Sequence, residues 1–150
     1  MSELRELYQE IILDHNKNPR NFGKLESANR AQEGYNPLCG DHLHIYLQVA
    51  EDRIEGISFE GSGCAISKAS ASLMTAALKG KGTAEAEQLF EDFHAMVMAD
   101  VADPIDEAKL GKMAIFAGVR EFPMRVKCAT LAWHAMKSAL SGDDAPISTE

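Results

Sequence analysis

Apolar residues recur at helical spacing near the start of the chain, where Leu4, Leu7, Tyr8, Ile11 and Ile12 share one face and Glu3 and Glu6 sit near the positive end of the dipole. Residues 16–21 carry Pro19 among polar side chains and end that helix. Residues 22–35 show no clear period and are expected as loop, with room for one short strand. Leu43, Ile45, Leu47 and Val49 then alternate with His44, Tyr46 and Gln48, and a second run after Glu51-Asp52 carries Ile54, Ile57 and Phe59. Two such runs across a tight turn predict an antiparallel hairpin.

The helical period returns at residues 64–79, which are rich in Ala and Ser around Ile66, Leu73, Met74 and Leu78 and stop at Gly80. The next helix is expected to be capped by Thr83, with Ala86, Leu89, Phe90, Phe93, Met96 and Val97 on its buried face. Asp103-Pro104 followed by Asp106 and Glu107 predicts a further helix start, with Gly118 as its end. Pro123 opens a last helix on which Val126, Ala129, Trp133, Met136 and Leu140 share a face. Residues 1–140 therefore read as a single domain. Residues 141–150 offer only Ile147 as a large apolar group, carry Asp143 and Asp144, and are expected as a disordered acidic tail. Strands followed by a run of helices predict an α+β fold, a small antiparallel sheet with helices packed on one side.

A chain of 150 residues, 45% hydrophobic, can fold around one core. Its formal charge of -8 argues against nucleic acid or an anionic membrane as partner, because both select basic faces. No apolar run reaches membrane-spanning length, and the N-terminal residues read as an amphipathic helix, not a leader, so a cytoplasmic location is expected. In that setting the three widely spaced cysteines read as thiols or metal ligands, not disulfides.

The candidate chemistry starts at residues 36–41, Asn-Pro-Leu-Cys-Gly-Asp, where a glycine lets Cys39 and Asp41 turn toward one cation. Cys64 follows Gly61-Ser62-Gly63, and Cys128 follows Arg125-Val126-Lys127, each where a helix is expected to begin. Three thiols and one carboxylate make a tetrahedral donor set that suits zinc, with sulfur at about 2.3 Å. Helix dipoles and the cations of Arg125 and Lys127 are expected to favour thiolate at the two helix-start cysteines. His42 and His44 read as a solvated strand face, His15 as the end of its helix, and His94 and His134 as ordinary helix residues. The chain has no His-x-Glu, His-Glu-x-x-His or Cys-x-x-Cys, which removes the usual signatures of zinc hydrolases, deaminases, zinc ribbons and dithiol redox proteins.

Five phrases resemble the U-type iron-sulfur assembly proteins, the IscU/NifU N-terminal-like family: Leu13-Asp14-His15, residues 18–23, residues 36–41, residues 61–67 and residues 125–133. Within that family the chain is similar to the SUF-type branch. Lys127 stands where ISC-type scaffolds usually carry a histidine before the third cysteine, and residues 80–100 look like the extra stretch of SUF-type members. The resemblance implies zinc held by Cys39, Asp41, Cys64 and Cys128, and a partner cysteine desulfurase of the SufS type that uses pyridoxal phosphate. It implies that Cys39 accepts persulfide sulfur once a partner side chain displaces it from zinc, and that Arg125 acts near this site. The sulfur then passes to downstream iron-sulfur assembly proteins. Two alternatives are a scaffold for a labile, transient [2Fe-2S] cluster, with Asp41 as the weak ligand, and a structural zinc module used for protein contacts.

Overall fold

The alternation read at residues 43–49 decides the architecture. In the computed structural model, which describes residues 2–142 and 146–149, strand β2 (Asp41–Ala50) lies between β1 (Arg30–Asn36) and β3 (Arg53–Ser62) and is antiparallel to both. Asp41, Leu43, Ile45 and Leu47 are buried on one face of β2, while His42, His44, Tyr46 and Gln48 are half-exposed on the other. A strand with period two can hide only one face, so the helices gather on that side and leave the second open. Glu51 and Asp52 connect β2 to β3 with φ of 52° and 61°, the left-handed pair of a tight hairpin turn.

Strand β1 occupies the stretch in which the sequence shows no period. Its inward residues are Gln32, Gly34 and Asn36, small or polar, so no apolar alternation announces it. Gly34 has a packing reason: a Cβ there would lie 3.1 Å from Leu131 Cδ1. A short strand β4 (Ile147–Ser148) runs parallel to β1 at Gly34 and Tyr35, giving the order β3-β2-β1-β4. The sheet is therefore mixed where a wholly antiparallel one was expected. Part of the expected frayed tail is also ordered, since the Thr149 amide donates to the Tyr35 carbonyl at 3.0 Å and its hydroxyl to the Lys127 carbonyl at 3.1 Å. Asp143 and Asp144 lie outside the described residues.

Helix α5 (Pro123–Leu140) covers the sheet with Leu131, Ala132, Trp133, Ala135 and Met136 buried, and α2 (Ala65–Leu78) lies beside it. Ser67, Ala69, Ser70, Ala71 and Ser72 of α2 are buried, and their small side chains admit close neighbours. The Ser70 hydroxyl donates to the Ala129 carbonyl at 2.6 Å and accepts from Trp133 Nε1 at 3.1 Å, which satisfies the indole N–H that burial would otherwise strand. Helix α1 (Ser2–Lys17) packs on α2 from outside, where buried His15 Nδ1 lies 2.7 Å from Ser72 Oγ.

Helix α3 (Thr83–Met98) buries Ala86, Phe90, Phe93, Met96 and Val97 as its period predicts, but Gly82, not Thr83, is its N-cap, with the Gly82 amide donating to the Glu85 carboxylate at 3.1 Å. The helix expected from Asp103-Pro104 to Gly118 is different in kind. Asp106 caps a one-turn helix α4 (Glu107–Leu110), Gly111 at φ 58° breaks it, and a 3-10 helix runs from Gly111 to Glu121 through Gly118. Met113, Phe116 and Val119 are buried at steps of three, the residue repeat of a 3-10 helix, which aligns them on one face. Phe116 meets Phe93 edge-on, and Phe93 stacks on Trp133 at 4.8 Å, tying the 3-10 helix to α3 and α5.

Candidate metal centre

Four side chains from three places converge at one end of the sheet. Asn36 and Asp41 face each other across β1 and β2, so residues 37–40 form the hairpin loop between them, closed by the Cys39 amide donating to the Asn36 carbonyl at 3.2 Å. Gly40 takes φ +74°, which turns the chain back into β2. Cys39 is half-buried at this loop tip beside exposed Leu38, whereas Asp41 is 1% exposed and already in the strand.

Cys64 is the N-cap of α2, with its Sγ accepting from the Ser67 amide at 3.4 Å. Its own amide donates to Asp41 Oδ1 at 2.8 Å, so the carboxylate is held by backbone before any metal is considered. Gly63 is obligatory here, because a Cβ would come within 2.6 Å of Asp41 Oδ1. Cys128 lies buried in the second turn of α5, 3.1 Å from Cys39 Sγ. The donor atoms of Cys39, Asp41 and Cys128 all lie within 4.8 Å of one another, and Cys64 Sγ is 3.9 Å from Asp41 Oδ2.

The thiols do not share one electrostatic fate. Hydrogen bonding from Cys128 brings the Cys64 thiol down to about 7, helped by the Ser67 and Ile66 amides and opposed by burial and the Asp41 charge. Cys128 moves the other way, pushed up by donating to Cys64, by burial, and by its contacts with Cys39 and Asp41. The expectation that both helix-start thiols are lowered therefore holds for Cys64 alone. Cys128 is too far along its helix and too buried to profit from the terminus. Arg125 is exposed, its guanidinium 4.2 Å from the centre of the Phe122 ring, and it borders a cavity of about 470 Å³ with Tyr8, Gln9 and Ile12. Lys127 is half-buried one residue before Cys128.

Asn36 is a residue whose part in the site the sequence alone does not reveal. Fully buried, its Nδ2 lies 3.4 Å from both Asp41 Oδ2 and Cys128 Sγ, linking a carboxylate to a thiol, while its Oδ1 has no hydrogen-bond partner among the described residues. It opens the phrase that contains Cys39 and Asp41, but an asparagine before proline reads equally well as turn chemistry. Three thiols and one carboxylate make four donors, which fits a tetrahedral thiophilic ion such as zinc.

The description "NifU-like N terminal domain" matches residues 7–141, which span all four of these side chains. The chain belongs to that family. A protein of Streptococcus pyogenes serotype M1 named iron-sulfur cluster assembly scaffold protein IscU is 42% identical over 140 residues, covering 93% of this chain and 86% of its own. The zinc-dependent sulfurtransferase SufU of Bacillus subtilis (strain 168) is 39% identical over 143 residues, covering 95% of both. Among solved structures, a candidate iron-sulfur cluster assembly scaffold protein for the SUF system from Fervidobacterium islandicum AW-1 superposes with a TM-score of 0.81 at 37% identity, covering 91% of this chain and 98% of its own. The α+β arrangement, including the mixed sheet, is thus that of the NifU-like N-terminal family. No helix among the described residues is long and apolar enough to cross a membrane.

Proposed function

We propose that this member of the NifU-like family works in iron-sulfur cluster assembly as a zinc-dependent sulfur acceptor, taking persulfide sulfur from a pyridoxal phosphate-dependent cysteine desulfurase and passing it on. The observation that carries this reading is the asymmetry among three converging thiols: Cys39 sits half-buried on a hairpin tip, while Cys64 is fixed as a helix cap and Cys128 within a helix. The relative named for zinc-dependent sulfur transfer, 39% identical over nearly the whole chain, supports it.

Cys39, Asp41, Cys64 and Cys128 would hold the zinc, which when bound keeps its thiolate ligands deprotonated at neutral pH. Asp41 is oriented for this by the Cys64 amide, and Asn36 holds Asp41 and Cys128 in register. In the transfer, the Cys39 thiolate attacks the terminal sulfur of the desulfurase persulfide. A new S–S bond forms at Cys39, the old S–S bond breaks, and the partner's cysteine leaves with the electron pair as thiolate. Only a thiol on a movable loop can swing toward another protein while the remaining donors stay in place. We assign Arg125, exposed three residues before Cys128, to the approach of the partner. Thiol chemistry of this kind belongs to a reducing compartment, which favours the cytoplasm.

Incubation with a desulfurase and free cysteine, followed by peptide mass analysis, tests the assignment. The added sulfur is expected on Cys39, and Cys39→Ala should accept none, while Cys64→Ala and Cys128→Ala should act by losing zinc. Sulfur on Cys64 or Cys128 with Cys39 unmodified overturns it. The second reading, a scaffold for a labile [2Fe-2S] cluster, is favoured by the name of the 42% identical relative and predicts purified protein rich in iron and sulfide and poor in zinc.

A further inference from the structure

The open face of the sheet carries a second convergence of metal-binding side chains, which the sequence presents only as a solvated strand. Glu33 of β1 pairs directly with His44 of β2, and His42 lies one outward position away, opposite Tyr35. Alternation puts all three on the face away from the helices. The result is specific: one oxygen, Glu33 Oε2, lies 2.9 Å from His42 Nε2 and 2.9 Å from His44 Nε2. The three donor atoms lie within 4.8 Å of one another and each residue is half-buried. Tyr35 stacks on His42 with ring centres 4.2 Å apart, which holds that imidazole with its Nε2 turned toward the carboxylate, and Tyr46 lies nearly parallel to His44 at the longer distance of 6.4 Å.

We propose that Glu33, His42 and His44 form a second metal site, for a divalent first-row transition ion, on the opposite side of the sheet from the thiol centre. Two imidazoles and one carboxylate suit zinc or ferrous iron, whereas magnesium and calcium prefer oxygen donors. A neutral imidazole binds by keeping its ring proton on Nδ1 and presenting the Nε2 lone pair, and Glu33 contributes its negative charge, so no redox step is involved. The remaining positions of the ion face solvent and stay open to water or an exchanging ligand. Asp41 and His42 are consecutive, yet they belong to different sites, because successive side chains of a strand leave it on opposite faces.

The test titrates the whole reduced chain, stripped by a chelator, first with Zn²⁺ and then in parallel with Co²⁺. The parent should take up two ions per chain and the variants His42→Gln/His44→Gln and Glu33→Gln only one. The cobalt–thiolate charge-transfer absorption should be the same in parent and variants, since it reports the cysteine centre alone. Because this absorption and the imidazole resonances report different sites, failure of the thiol assignment is visible separately. In ¹⁵N spectra of the parent, zinc should move the Nε2 resonances of His42 and His44, a readout that depends on no substitution. Uptake of a single ion by the parent with the cobalt–thiolate absorption fully developed, a second ion indifferent to the substitutions, or zinc-induced shifts at His15, His94 or His134 in place of these two would overturn the proposal.

Discussion

Asp41 and His42 are joined by one peptide bond, but the two faces of the sheet they serve are built on different physics. On the covered face Asp41 is buried, held by a backbone amide and a buried asparagine, and its neighbours along β2 are Leu43, Ile45 and Leu47, each fully buried. On the open face His42 and His44 share one carboxylate in partial contact with solvent. A change on the covered face is felt as a cavity, a clash or an orphaned polar group. On the open face it is felt mainly by whatever binds there.

The largest difference is expected from Ile45→Ala set against His44→Ala, adjacent positions of β2. Removing the buried Ile45 side chain should cost about 2 to 5 kcal/mol, because the core under α5 relaxes only in part. Removing His44 should cost within about 0.5 kcal/mol, as surface changes usually do. Urea unfolding in the presence of a chelator measures both, and comparable losses would show that the open face is covered in solution.

These contrasts also explain what the sequence could reveal. Strands β2 and β3 and helix α3 were readable because their buried residues are large and apolar at a regular period. Strand β1 was not, since Gln32, Gly34 and Asn36 are buried without hydrophobic character, and β4 rests on backbone pairing of two residues. The single helix expected from Asp103-Pro104 to Gly118 is instead one α-turn and a 3-10 helix, because cap residues and a glycine mark where a helix starts and stops but not its pitch, and the break at left-handed Gly111 carries no such signal. In the thiol centre, residue type marked the candidates together with a glycine or proline context at Cys39, Asp41 and Cys64 and the preceding cations at Cys128. The roles of Asn36 and Glu33 depend on which strand lies beside which, and that is tertiary information.

Next in size is Gly63→Ala. The new methyl would press on Asp41 Oδ1 from 2.6 Å, and the carboxylate cannot retreat without breaking its bond from the Cys64 amide. Overpacking of this kind typically costs about 1 to 3 kcal/mol, and metal retention at the thiol centre should fall with it. Asp41→Ala removes the carboxylate without adding bulk, so that chain should stay folded while retaining zinc less well or transferring sulfur more slowly. Elemental analysis after dialysis, beside a thermal melt, distinguishes the two. Full zinc retention by both would remove Asp41 from the ligand set.

Asn36→Ala probes the same face more gently. Its amide donates toward Asp41 and Cys128, and its loss leaves buried acceptors short of a partner, at roughly 1 to 3 kcal/mol. A metal that fixes Asp41 and Cys128 by itself should recover much of this loss. The variant's deficit in unfolding free energy is therefore expected to be larger with chelator than with zinc. Equal deficits would mean that Asn36 supports only the hairpin.

The smallest effect separates the faces by pH. His15, packed against Ser72, is held below the ordinary histidine range, first by burial and then by the Arg20 charge, and burial lowers His134 in the same way. The unfolded chain then binds more protons than the folded one, so stability is complete above the unfolded value near about 6.5 and declines as pH falls through it toward the folded values. Glu33 titrates elsewhere. Its hydrogen bond from His42 lowers it, so its contribution persists above the unfolded value near about 4.3 and is lost only on further acidification. His15→Gln, which can still bond Ser72 but does not titrate, should lose less stability than the parent between pH 7.5 and 5.5, with His134 accounting for part of what remains. A parental slope in His15→Gln would show that the His15 imidazole is solvated and that its contact with α2 is not maintained in solution.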